Sequence, residues 1–442
     1  MEQGITGSAE NLGRKKMIKE GLSAFKGKRV LLLQGPLGPF FRRLACDIEN
    51  AGAQVFKINF NGGDWMFFPK GAISFTGRPA EWPAFFEQVL IDQKIDMVLL
   101  FGDCRPVHRA AHEIAAARGV EIGVFEEGYI RPDYITLERF GVNGHSQIPR
   151  TPDFYLNTPQ AVVPATKRVG NMFWYAVLWA LLYYIASALL WPKYRHYQHH
   201  RPLTLREAGP WIRSAYRKIY YRFKEHGVQT ELSTTYKDRF FLVPLQVHND
   251  AQVHVHSEFN SVEDFIDRVM SSFAAHSPAD SLLVIKHHPM DRGYHDYTRL
   301  INRLAREYGI QKRARYIHDQ HLPTLLEHAR GAVVINSTVG LSALHHGTPL
   351  KVCGTAIYDI AGLTYQCDLD HFWREAHATT IRKDLYDRFQ RYLIEHTQLN
   401  GSFYRRLEIA GSHTGLVWAP SSEARAVEES LLASGEFKSI SQ

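Results

Sequence analysis

Cysteine is scarce. Four occur in 442 residues, Cys46, Cys104, Cys353 and Cys367, with no C-x-x-C pair and no zinc-ligand spacing. Neither a disulfide framework nor a structural metal is signalled, and a reducing compartment is expected. The P-loop and G-x-G-x-x-G patterns are missing, and GPLGP at 35–39 is too proline-rich for a dinucleotide fingerprint, which weighs against ATP and hydride chemistry. The first 22 residues are polar and hold no apolar stretch of the signal-peptide kind, so export is not expected. Acids are outnumbered, 45 Asp and Glu against 52 Lys and Arg, for a formal charge of +7. That balance predicts attraction to an anion, whether nucleotide, nucleic acid or membrane.

What is present is ample apolar material, 45% hydrophobic and 12% aromatic, in a chain long enough for two domains. Short apolar runs alternate with amphipathic segments. RVLLLQG (29–35), AQVFKINF, IDMVLLFG and EIGVFEEG read as strands, and the segments between them as helices. The same grammar resumes after residue 240 with RFFLVPLQV, SLLVIKHH, ARYIHD, GAVVINST and PLKVCG. Continuous apolar strands separated by helices predict parallel sheets, here an α/β chain with two Rossmann-like halves. Such sheets bind ligands at the carboxyl ends of their strands. The polar clusters QGPLGP, EEGYIRPDY, QVHND, KHHPMD and NSTVG all fall at strand ends and look like one central cleft.

Between the halves, residues 172–191 form a twenty-residue run without a charge, rich in Trp, Tyr and Phe. As a helix it would extend ~30 Å. A crossing would place the two halves on opposite sides of a bilayer, so a segment lying on the membrane is expected, with an internal helix packed between the domains as the alternative. The 193–224 stretch behind it carries nine Lys/Arg against Glu207 alone, which suits an anionic leaflet. The expected division is 1–165 as an N-terminal Rossmann-like acceptor-side domain, 166–235 as an apolar and basic membrane-associating linker, 236–395 as a C-terminal Rossmann-like nucleotide-sugar domain, and 396–442 as a helical segment packing back on the first domain.

The clusters have a chemical reading. Adjacent His287 and His288 point in different directions from a strand end, so they do not make the i, i+4 pair of a helical zinc site. Lys286 and His288 beside a proline make an anion grip, one giving charge and the other a hydrogen bond or proton; solvated turn residues are the bland alternative. Asn336, Ser337, Thr338 and Gly340 lead from a strand into a helix, an arrangement that binds phosphate or only caps the helix. Glu126 and Glu127, followed by Arg131, place paired carboxylates at a strand end, and Asp250 lies four residues past Gln246 beyond another. Two carboxylates from opposite halves are what glycosyl transfer requires, although isolated acids are more often turn residues.

Seven blocks in order, LLLQGPLGPFF, EEGYIRPDYITLE, LVPLQVHNDAQV, KHHPMDRGY, VINSTVGLSALHHGTPLKVCG, YDIAGLT and TQLNGSFY, cover nearly the whole chain. They resemble the bacterial capsule polysaccharide biosynthesis family, most closely its KpsS/LipB type, which is similar to retaining β-Kdo transferases. The resemblance implies a GT-B fold, CMP-Kdo as donor substrate with no cofactor and no metal, and a lysophosphatidylglycerol-type lipid acceptor. It also implies a cytoplasmic protein peripheral on the inner membrane, with a KpsC-type transferase and an ABC capsule exporter as partners and no nucleic acid. By motif, Glu127 matches the acid/base, with Glu126 left open for that role; Asp250 matches the nucleophile of Q-x-x-x-D; Lys286 and His288 match the K-x-H-P phosphate grip; Ser337 and Thr338 match the phosphate-binding hydroxyl pair. The competing readings are a transferase for another nucleotide sugar and a non-catalytic export scaffold.

Overall fold

The computed structural model describes residues 20–160, 163–198 and 208–418. The described residues divide into two compact units: 20–147, 163–198 and 391–418 form the first, and 148–160 and 208–390 the second.

The first unit is built on a seven-stranded sheet in the order β12-β6-β5-β4-β1-β2-β3. The strands are β1 (Arg29–Leu32), β2 (Gln54–Asn59), β3 (Ala72–Ser74), β4 (Met97–Phe101), β5 (Glu121–Glu127), β6 (Tyr134–Arg139) and β12 (Gln398–Asn400). The strands β1 to β5 are mutually parallel, while β6 runs antiparallel to β5 and β12 antiparallel to β6. Alternation along the central strands explains both faces: Val30, Leu32, Met97 and Leu99 enter one core with the helix Phe40–Asn50, and Leu31, Leu33, Val98 and Leu100 enter the other with the helices Trp82–Asp92 and Pro106–Ala117. Burial on both faces is why these strands read as unbroken apolar runs.

The second unit has a five-stranded sheet in the order β11-β10-β7-β8-β9, from β7 (Phe240–Pro244), β8 (Leu282–Lys286), β9 (Ala314–Ile317), β10 (Gly331–Val334) and β11 (Leu350–Val352). All its pairings are parallel. Phe241, Val243, Leu283, Ile285 and Val333 pack with the helix Val262–His276 in its core. That helix starts at Ser261, whose side chain accepts from the Asp264 N–H, with Glu263 and Asp264 in the first turn, as a helix N-terminus favours. Both Rossmann-like halves are therefore present.

The unit boundaries differ from those expected. Residues 148–160 belong with the second unit, where Tyr155 is buried edge-on against Phe389, 5.3 Å between centroids. Residues 166–235 are divided between the two units rather than forming a separate linker. Past His396 the described residues contain β12 and turns instead of a helix; Gly401, at φ +147°, takes a backbone conformation that other residues resist. Residues 199–207 of the expected linker and 419–442 of the expected terminal segment lie outside the described residues.

The uncharged run forms the 17-residue helix Phe173–Leu189, and no described helix is long and apolar enough to cross a membrane. One face is docked on the short helix Gly62–Phe67. A Cβ on Gly62 would lie 2.2 Å from the Ala186 carbonyl oxygen, and one on Gly63 would lie 2.4 Å from the Tyr183 ring, so the glycine pair is what admits the close approach. Tyr183 and Ser187 are buried there, bonded to the Asn61 amide at 2.6 Å and the Gly63 N–H at 3.0 Å. The opposite face leaves Phe173, Trp174, Leu178, Leu181, Ile185 and Leu189 exposed.

Candidate active site

In the second unit three strand ends are joined by side chains. Gln246, just beyond β7, is buried and donates through Nε2 to Asp250 Oδ2 and to Asn336 Oδ1, both at 3.0 Å. Asp250 Oδ1 accepts the Gln252 N–H at 2.9 Å and so caps the short helix Ala251–Val255. Asn336, beyond β10, spends its amide nitrogen on the carbonyls of Gln252 and His256. Gln246 and Asn336 thus position Asp250 and its loop.

The KHHPMD turn after β8 is tied to the same loop by a pair not assigned from sequence. Asp291, fully buried, accepts from His248 Nδ1 at 2.5 Å and from the His248 N–H at 3.1 Å. A buried carboxylate of this kind requires such donors. Arg292 pairs with Asp319, so both residues shape the site as well as the turn.

The two histidines separate as their alternation predicts. His287 is buried against the Tyr316 hydroxyl at 2.5 Å, and burial pushes its pKa down to about 4, so the ring is neutral. His288 is half-buried, and its Nδ1 accepts the Met290 N–H at 3.2 Å. That bond fixes the proton of the neutral ring on Nε2, the tautomer that can donate to an anion. Lys286 is almost wholly buried, with its ammonium on the His318 carbonyl at 3.0 Å; burial lowers its pKa, with Asp319 opposing.

His318 is itself clamped. Burial alone would raise the Glu225 carboxyl, but hydrogen bonds from the His318 ring (2.6 Å) and N–H (2.9 Å) outweigh it and hold Glu225 below the usual carboxylate range. The Tyr221 ring stacks on the His318 ring at 3.4 Å. Tyr221 belongs to the helix Ala208–Lys224, whose Arg217 donates to the carbonyls of Arg292 (2.8 Å) and His295 (3.2 Å). A Cβ on Gly293 would meet the Pro210 carbonyl oxygen at 2.1 Å. The basic helix is therefore seated directly on the KHHPMDRGY turn.

In the NST turn, Ser337 Oγ accepts the Val339 N–H at 3.2 Å, the capping alternative in part. Thr338 occupies the N-cap position of the helix Val339–His345 without a side-chain capping bond. Gly340 has a packing reason to be glycine: an added Cβ would lie 2.4 Å from Tyr358, whose hydroxyl donates to the Ser337 carbonyl.

In the first unit, Glu126 and Glu127 end β5. Glu126 accepts the Glu127 N–H at 2.9 Å, and its pKa is raised to about 7, chiefly by burial and further by the Glu127 charge, with the Glu127 N–H and Arg105 opposing. Glu127 accepts from the Tyr404 hydroxyl at 2.8 Å. Gln398, on β12, accepts the N–H groups of Tyr129 and Ile130 at 2.9 and 3.3 Å and fixes the loop behind the acids. Arg131 folds back on its own loop, donating to the Gly128 carbonyl at 3.1 Å. Tyr404 and Gln398 were missed as site residues, although both lie in the TQLNGSFY block; nothing in a linear reading pairs that block with EEG.

Residues 96–404 match a family described as capsule polysaccharide biosynthesis protein. The chain is 42% identical over 388 residues to the capsule polysaccharide export protein KpsS of Escherichia coli, spanning 86% of this chain and 97% of that one. It is 41% identical over 396 residues to the capsule polysaccharide modification protein LipB of Neisseria meningitidis serogroup A, spanning 88% and 94%. Among solved structures, the β-Kdo 2,7-transferase KpsC of Thermosulfurimonas dismutans aligns with a TM-score of 0.41 at 14% identity, over 92% of this chain and 100% of that one.

Proposed function

Because the chain belongs to the capsule polysaccharide biosynthesis protein family, we propose that it is a glycosyltransferase. It moves Kdo from CMP-Kdo, with retention, onto a lysophosphatidylglycerol-type lipid, starting the poly-Kdo linker that a KpsC-type transferase extends and an ABC exporter carries out. The observation that carries this reading is the joining of three strand ends in the second unit, where Gln246 holds Asp250 and Asn336 at 3.0 Å each and Asp291 ties the KHHPMD turn to the same loop.

Retention requires two displacements. Asp250 attacks C2 of Kdo while the bond from C2 to the phosphate oxygen breaks and its electrons leave with CMP. The departing charge is met by the Lys286 ammonium, the His288 Nε2–H and the hydroxyls of Ser337 and Thr338. The acceptor hydroxyl then displaces Asp250 from C2, and Glu127 takes its proton. The test is mass spectrometry of the product from purified protein, CMP-Kdo and a fluorescent lysophosphatidylglycerol. A gain of one Kdo is the expected result, and unchanged lipid with hydrolysed or untouched donor overturns it. CMP should raise the melting temperature and UDP should not; the reverse would point to a UDP-sugar.

The same reading places the protein on the cytoplasmic face of the inner membrane. It is supported by the helix Ala208–Lys224, whose Ile212, Tyr216, Ile219 and Phe223 form a stripe at helical spacing, Ile212 71% and Phe223 76% exposed, beside Arg213, Lys218, Arg222 and Lys224. An apolar stripe edged with cations fits an anionic leaflet. Each large apolar side chain moved out of water contributes ~1.5–3 kcal/mol. The double variant Ile212→Glu/Phe223→Glu should therefore weaken binding to anionic vesicles by at least about 100-fold in a flotation assay, and equal flotation of the two proteins would refute this face.

A further inference from the structure

The first unit contains a pocket of about 350 Å³ that the reaction scheme leaves unused. It lies past the carboxyl ends of β1 and β4, with Gln34 and Arg105 among its lining residues, at the same end of the sheet that carries Glu126 and Glu127 at the end of β5. Its walls are aromatic and apolar. Phe60 and Phe75 pack edge-on against Trp82 at 4.9 and 5.2 Å, and Pro83, Val107 and Ala110 complete them. The Trp82 indole N–H is already given to the Val107 carbonyl at 2.8 Å, so that ring offers the pocket only its apolar surface.

The floor is polar and fixed. Gln34, 2% exposed, takes the Arg105 guanidinium on Oε1 at 2.9 Å and donates to the Tyr197 hydroxyl at 2.7 Å. Arg105 also lies over the Phe101 ring, 5.3 Å from its centroid. Among the lining residues Arg105 and His196 are basic and none is acidic. A pocket of this kind selects a ligand with an apolar body and an anionic group. At about 350 Å³ it falls at the low end of the ~300–1,000 Å³ typical of small-molecule sites, a size suited to a single chain.

We propose that this pocket is the acceptor site: it seats the glycerol-proximal acyl segment of a single-chain anionic phospholipid, with the phosphate on Arg105 and the free headgroup hydroxyl left for Glu127. This rests on the glycosyl-transfer reading for its purpose, but binding is measurable without transfer. Arg105 links the two functions physically, because its charge also acts on Glu126.

The experiment uses the full chain without donor and a fluorescent single-chain phosphatidylglycerol below its micelle concentration. Ala110→Trp, on the pocket wall, should weaken lipid binding at least tenfold and raise the KM for the lipid, while leaving CMP-dependent thermal stabilisation and the affinity for glycerophosphoglycerol, which has no chain, unchanged. Arg105→Gln should weaken the anionic lipid but not a neutral monoacylglycerol. Should Ala110→Trp fold poorly, Ala110→Leu with a series of chain lengths reads the same volume. Lipid binding by Ala110→Trp equal to wild type, or an equal loss for the chainless headgroup, overturns the site. Pocket binding that Ala110→Trp abolishes, in a protein that attaches no sugar to the lipid, upholds the site and defeats the transfer reading instead.

Discussion

Asp250→Asn protein is expected to turn over at least about 10⁴-fold more slowly than wild type, a loss of the size seen when a nucleophile is removed, while melting within a few degrees of it. The two halves of that expectation have separate causes. An Asn at 250 keeps one carbonyl oxygen, which can go on accepting the Gln252 N–H, and Asn is as good a cap as Asp. What it loses is the second acceptor, now held by Gln246 at 3.0 Å. Gln246 cannot turn its own oxygen toward the new amide without breaking its contacts to Asn336, where Nε2 donates to Oδ1 and Oε1 accepts the backbone N–H. One strained or missing hydrogen bond costs about 1 kcal/mol, a few degrees in Tm. Donor binding should persist, because Lys286 and His288 lie on a different loop. Turnover near that of wild type, with CMP-Kdo and the lipid both saturating, would remove Asp250 from the nucleophile role.

Glu126→Gln should make the protein more stable, and only at high pH. Burial raises the Glu126 pKa from its ordinary 4.5 to about 7, so the folded state binds its proton more tightly than the unfolded state does. The sign follows from linkage: the carboxyl is accommodated at no penalty below pH ~4.5, its ionisation weakens the fold as pH rises from there to 7, and the full penalty applies above 7. A shift of this size corresponds to up to about 3 kcal/mol. Gln has the same shape and no charge, so denaturation midpoints of variant and wild type should coincide near pH 4 and diverge in favour of the variant by pH 8. A gap that is flat with pH would show that Glu126 is not held away from water. Glu127→Gln is the companion for catalysis, with turnover expected to fall 10²- to 10⁴-fold, the range for losing general acid or base assistance.

Much of the fold was legible because its physics is local. Strands such as MVLLF and LLVIK are buried on both faces, so their apolar runs announce them, and the helices between them carry their own periodicity and caps. The strands β6 and β12 were not legible. QLN is only three residues long and owes its extended form to pairing with YITLER, where Gln398 faces Thr136, 262 positions before it, and YITLER is in turn held antiparallel on β5. The placement of the charged residues was legible, since Lys286, His288, Asp250 and Glu127 do lie at or just past the ends of strands. The site was illegible where one loop holds another: His248 with Asp291, Gln246 with Asn336, and Tyr221 on His318 depend on tertiary placement that no spacing encodes. Gly340 was assigned to phosphate approach for its position, whereas the Tyr358 ring explains the missing side chain.

The position of β12 bears on how the protein is made. The first unit's sheet is completed by residues 398–400, and Gln398 anchors the loop just past Glu127. A chain emerging from the ribosome has therefore synthesised the whole second unit before the first can close. Folding of the first unit waits on contacts of very large sequence separation, the slow class, while residues 208–390 form a nearly continuous stretch able to fold as a block. The acid pair stays unsupported until Gln398 and Tyr404 have joined the first unit.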